Sequence, residues 1–136
     1  MEALRVLGLL HQTQSRFYRG EESGGLATVL ADDVTWHVPG DNAIAGTYRG
    51  IDEVTAYMAR RRDLANRSFT MHPRELLIGE HHVASLTDGE IQRNGRTERW
   101  STVGLYKIAA MKIAECHMIP FDQAEFDRIW AEPDRQ

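Results

Sequence analysis

The 136-residue chain holds one cysteine, Cys116, so it closes no disulfide within itself and suits a reducing compartment. Neither charge dominates. Lys and Arg number 16 against 20 Asp and Glu, a net charge of −4. Without a basic stripe or a ribonucleoprotein-type aromatic motif, neither nucleic acid nor an anionic membrane is an expected partner. No apolar run is long enough to span a bilayer, and the first ten residues are too short and too amphipathic for an export signal. The expected location is therefore the cytoplasm. A glycine-rich phosphate loop is absent. The six histidines fall without ligand spacing, since His81 and His82 are neighbours that point apart, as are Cys116 and His117. With no paired cysteines and no His-x-Glu pattern, no metal and no cofactor are expected.

What is present suits an ordinary globular domain spanning residues 1–136, with 42% hydrophobic and 26% charged residues. The most informative stretch runs from Gly95 to Asp122. It reads as a long strand, a tight turn at Ala109-Ala110 and a second strand closed by Pro120. Upstream, Asn94-Gly95 is a two-residue hairpin turn that needs positive φ at both positions. It sets a register in which Arg93 faces Arg96, Gln92 faces Thr97, Glu90 faces Arg99, Asp88 faces Ser101 and Leu86 faces Val103. Strands are expected over Val34–Pro39, Ser68–Ile78 and His82–Arg93. Leu4, Leu7, Leu10, Gln14 and Phe17 recur at helical steps over Glu2–Tyr18. Ser23 is placed to cap a short second helix carrying Leu26, Val29 and Leu30, ended by Asp32-Asp33. Pro39–Asn42 is a turn and Gly46–Gly50 a loop. A third helix covers Ile51–Ala65, on which Arg60-Arg61-Arg62 reads as a solvated helix end rather than an anion site. Asp122 and Glu125 form a capping box for a short terminal helix with Phe126, Ile129 and Trp130. The sum is an α+β fold: three N-terminal helices packed on a strongly curved, mainly antiparallel sheet, a cone-shaped barrel with a short C-terminal helix.

Three phrases give the chain a family likeness: Leu30-Ala31-Asp32-Asp33-Val34-Thr35-Trp36-His37-Val38-Pro39-Gly40, Tyr48-Arg49-Gly50-Ile51-Asp52-Glu53-Val54 and Lys112-Ile113-Ala114-Glu115-Cys116. With the order of elements, they resemble the nuclear transport factor 2-like superfamily in its SnoaL-like branch, over roughly Leu4 to Trp130. That superfamily also holds ketosteroid isomerase and limonene epoxide hydrolase. The resemblance implies the cone and a small-ligand cavity. It does not carry over the usual carboxylates. The isomerase base position falls on Val38, its helix tyrosine near Gln14, and its second acid on Val103 or Gly104. The last-strand acid of the epoxide hydrolases and cyclases falls near Met118.

His37 is the surviving candidate for proton transfer, because an imidazole titrates near neutrality. Strict alternation from Val38 puts Trp36 inside and His37 outside unless a bulge precedes Pro39. The alternative is a histidine bonded at the rim or at a subunit contact. His72, beside Pro73, is the second candidate if it faces inward. Trp36, Trp100 and Tyr106 are expected to shape the cavity, or simply to fill the core. Val38, Thr102, Cys116 and Met118 join them on the same face. Tyr18 is placed to bring its hydroxyl to the mouth, with a purely structural role as the alternative. Cys116 reads as a packing group, not a nucleophile. If Trp100 points inward, Asp88, Glu90, Arg99 and Ser101 point outward, to solvent or a dimer interface. Two functions remain. One is a protein that binds a small apolar, cyclic or aromatic molecule and isomerises, cyclises or hydrolyses it without a cofactor. The other is a non-catalytic ligand-binding or interaction module. Either is expected to be a homodimer through its open sheet face. A cavity with a mouth and one inward imidazole favours the first; a filled interior favours the second.

Overall fold

The computed structural model describes residues 2–21 and 25–132. Helices α1 (Glu2–Tyr18) and α2 (Leu26–Val29) precede strands β1 (Leu30–Val38) and β2 (Gly46–Arg49). Helix α3 (Gly50–Leu64) leads to β3 (Thr70–Ile78), β4 (Val83–Arg93), β5 (Arg96–Ala109) and β6 (Lys112–Pro120), and α4 (Gln123–Ile129) follows. The six strands form one sheet in the order β2-β1-β6-β5-β4-β3. Only β1 and β6 run parallel; every other neighbouring pair is antiparallel.

The meander from β3 to β6 follows from local chemistry. Asn94 and Gly95 take φ of 54° and 73°, as the hairpin turn requires. The register of β4 on β5 is the expected one, from Arg93 opposite Arg96 to Leu86 opposite Val103. The next reversal centres on Ala110 and Met111, at φ 51° and 65°, one residue later than expected. Trp100, Thr102, Gly104 and Tyr106 alternate inward along β5 and are all buried. Asp88 and Ser101 share a 2.6 Å hydrogen bond on the outer face, where Glu90 also pairs with Arg99. Gly89 is fixed by packing: a Cβ there would lie 2.5 Å from the Trp100 ring.

The first half departs from expectation in three places. Leu30 to Asp33 belongs to β1, so the strand starts four residues earlier and Asp32-Asp33 ends no helix. Both aspartates are exposed, so the strand's period of two was broken and its start concealed. Gly46–Arg49 is an edge strand rather than a loop, paired to β1 from Thr35–Arg49 to Val38–Gly46. Ser23 lies outside the described residues. On α1 the buried stripe is Val6, Leu7, Leu10, Thr13, Gln14, Phe17 and Tyr18, while Leu4 is exposed. On α3 the stripe is Val54, Tyr57, Met58 and Arg61.

The helices cover the concave face of the sheet and α4 closes it. The Asp122 carboxylate caps α4 by accepting from the Glu125 amide at 3.1 Å. Phe126, Ile129 and Trp130 are buried, with Trp130 edge-on to Trp100 at 5.3 Å. The segment after β1 is tied to this helix. Asn42 donates to Asp127 at 2.7 Å, Gln123 donates to the same carboxylate at 2.9 Å, and the Ala43 amide donates to the Trp130 carbonyl.

Candidate functional site

The interior of the cone is organised around Arg61. It occupies the core phase of α3 after Val54, Tyr57 and Met58, and is 3% exposed. The expectation of a solvated Arg60–Arg62 therefore fails at its middle residue. Arg60 and Arg62 are surface cations, paired to Glu132 and Asp63. The Arg61 guanidinium sits in an aromatic box, 4.6 Å from the Phe69 centroid, 5.4 Å from those of Tyr18 and Tyr57, and 5.8 Å from that of Trp130. Its Nη1 donates to the Tyr57 hydroxyl at 2.6 Å. No carboxylate among the described residues pairs with it or influences it electrostatically. An arginine stays charged even when buried, so among the described residues the cone encloses a cation without an anion.

The Arg61 Nε, the Tyr18 hydroxyl and the indole nitrogens of Trp36 and Trp130 are buried and make no hydrogen bond. Burial pushes the phenols of Tyr18, Tyr57 and Tyr106 upward, which keeps them neutral and able to donate. His11 and Gln14 of α1 face the same space, which also touches Thr87, Trp100, Thr102 and Met118. Burial pushes the His11 imidazole below its ordinary value, so it is neutral at pH 7. The free volume is about 20 Å³, room for about one water molecule.

The expected site residues divide between two places. Trp100, Thr102, Tyr106 and Met118 line the interior space. Trp36 and Cys116 are fully buried nearby, and burial pushes the Cys116 thiol far up, consistent with a packing role. Tyr18 is completely buried and stacks on Phe69 at 4.6 Å, so its hydroxyl lies inside the cone and not at its mouth. His72 is exposed on the outer face, because Met71 takes the inward position of β3. His37 is also outside. The irregularity in β1 falls between Leu30 and Thr35, not before Pro39, so simple alternation holds and His37 faces away from the cone. It stacks on His117 at 4.3 Å beside a groove of about 990 Å³, to which Val38 and Met118 also contribute.

Two interior polar groups escaped the sequence reading. Arg61 was legible as a polar residue in core phase, at 54-57-58-61 on α3, and half-buried His11 flanks the buried stripe of Leu7, Leu10 and Gln14 on α1.

A curled sheet enclosed by helices on its concave side is the cone of the nuclear transport factor 2-like proteins. The profile of the SnoaL-like domain matches residues 15–116, and the chain belongs to that family. Protein Rv0034 of Mycobacterium tuberculosis H37Rv, itself uncharacterised, is 28% identical over 133 residues, covering 92% of this chain and 95% of that protein. The fold is shared with Bal32a from a soil-derived mobile gene cassette, at TM-score 0.83 and 18% identity, covering 96% of this chain and 99% of that one. It is also shared with TerC, solved with polyporic acid, at TM-score 0.77 and 17% identity, covering 95% of this chain and 98% of that one. Among the described residues, no helix is long and apolar enough to cross a membrane.

Proposed function

We propose that the cone binds a small, largely apolar, cyclic molecule through one anionic or enolisable oxygen, and that the protein isomerises or cyclises it without a cofactor. The observation that carries this reading is Arg61, a buried guanidinium without an acid partner among the described residues. Burying a lone charge costs several kcal/mol. Cation–π contacts return about 0.5–2 kcal/mol each. An oxyanion accepting from Arg61 Nε and the Tyr18 hydroxyl would supply the missing counter-charge and satisfy both donors. A neutral His11 can take a proton from a carbon next to the polarised carbonyl and return it to another carbon of the same ligand. That sequence moves one proton and needs no oxidant. The fold neighbour solved with polyporic acid supports a ligand of acidic character. Admission of such a ligand requires the aromatic packing around Trp100 and Trp130 to yield, since the free volume is about 20 Å³.

The test is a thermal-shift series of aromatic and alicyclic carboxylates and enols against their neutral isosteres, on wild type and Arg61→Met. Stabilisation by the acids alone, lost in Arg61→Met, is the expected result. Equal shifts with neutral isosteres would overturn the role of Arg61. The small free volume favours a second reading, a non-catalytic module that dimerises through the outer sheet face, where Ile119 and Phe121 are 46% and 58% exposed. No ligand response together with a dimer in light scattering would select it.

A further inference from the structure

The outer face of the sheet carries a second constellation, unrelated to the cone. Pairing of β2, β1, β6 and β5 lays residues out in two rows. Thr47, His37, His117 and Leu105 are successive register partners in one row. Arg49, Thr35, Glu115 and Lys107 form the next. Glu115 and His117 are two residues apart on β6 and so share a face. His37 reaches the same spot from β1. His117 Nε2 lies 2.7 Å from Glu115 Oε1, and His37 Nε2 lies 3.8 Å from the same oxygen. One donor atom from each of the three side chains falls within 4.8 Å of the others.

We propose that His37, Glu115 and His117 form a binding site for a divalent transition-metal ion of the zinc, cobalt or nickel kind. Two imidazoles and one carboxylate are a donor set for borderline metals rather than for calcium or magnesium. Metal–donor distances of about 2.0–2.2 Å put donors roughly 3.3 Å apart. Small rotations of two half-exposed rings bring the present trio to that spacing. The supporting contact is already made: His37 Nδ1 and Thr47 Oγ1 are 3.0 Å apart. When Nδ1 donates to Thr47, Nε2 keeps its lone pair and points at Glu115, the arrangement found behind metal-ligating histidines. Three protein donors leave at least one coordination position open. His37 and His117 both line the groove of about 990 Å³, so that position is available to water or to an oxygen donor seated there.

The test uses untagged full-length protein. Zinc binding is followed by calorimetry, and cobalt binding by the visible band of low-coordinate cobalt. One ion per chain is expected. His117→Ala and Glu115→Gln should each remove the calorimetric signal and the cobalt band. Thr47→Val, which spares all three ligands, should weaken binding about 10–100-fold. The His81→Ala/His82→Ala double variant should bind as wild type does. Unchanged affinity in Glu115→Gln, loss with the His81/His82 variant, half an ion per chain, or no saturable binding in the millimolar range would each overturn the site. Melting curves of the metal-free variants establish that they fold. Glu115→Gln, a near-isosteric change at a half-exposed position, carries the test if His117→Ala does not.

Discussion

Replacing Arg61 with methionine separates a structural arginine from one kept for a ligand. Methionine is similar in length, and its thioether suits an aromatic box, at about 0.3–1.5 kcal/mol per sulfur–ring contact. The substitution loses four cation–π contacts, at 4.6–5.8 Å from the ring centroids, each worth about 0.5–2 kcal/mol. It also leaves the Tyr57 hydroxyl without the partner now at 2.6 Å, a cost of about 1–3 kcal/mol. Against these stands release of the desolvation penalty on an unpaired cation, several kcal/mol. The two sides nearly cancel. The expected change is within about 2 kcal/mol of zero, and stabilisation is as admissible as loss, since buried ion groups replaced by apolar ones often leave a protein more stable. At about 2.1 cal/mol/K of unfolding entropy per residue, 1 kcal/mol shifts the melting temperature of a chain this size by about 3–4 °C. Arg61→Met should therefore melt within about 8 °C of wild type in calorimetry, and urea unfolding at 25 °C should agree. A loss above about 4 kcal/mol would show that the fold itself depends on the guanidinium, and the ligand argument would lose its foundation.

Two further outcomes are expected. Gly89→Ala places a Cβ 2.5 Å from the Trp100 ring and should cost about 1–3 kcal/mol by overpacking, with a change in tryptophan fluorescence; a neutral substitution would mean that Trp100 does not rest on that glycine. His11 should titrate below 6.5 by NMR, because burial depresses it. The unfolded chain then binds more protons than the folded one as pH drops below about 6.5, so stability is full above that pH and drains as pH falls through the folded value. His11→Gln should flatten that acid-side slope, and a His11 titration at or above 6.5 would refute the assignment.

The legible parts of the sequence were those where neighbours along the chain decide the outcome. Asn94-Gly95 imposed the hairpin, and with it the register in which Asp88 faces Ser101 and Leu86 faces Val103. Alternation correctly sent His37 outward while Trp36 went in. What stayed hidden depends on segments far apart in sequence. Glu115 and His117 look like an ordinary strand until β1 lies parallel beside them, and nothing local announces that pairing. The triple arginine misled because charge was weighed above phase. Arg61 continues the buried stripe of Val54, Tyr57 and Met58, and the rings that make its burial tolerable come from α1, α3, the approach to β3 and the end of α4.

The parallel seam between β1 and β6 has a consequence for how the molecule assembles. The meander from β3 to β6 is built from hairpins and can form through short loops, whereas β1 must return across some 80 residues of chain to reach β6. Loop-closure entropy makes such contacts slow to form, so the seam is expected to close late in folding and open early in unfolding. The histidine pair that straddles it exists only after closure. The ring stacking of His37 on His117 is thus a spectroscopic marker for completion of the fold, and an ion bound between them would act as a clasp on the last joint to set.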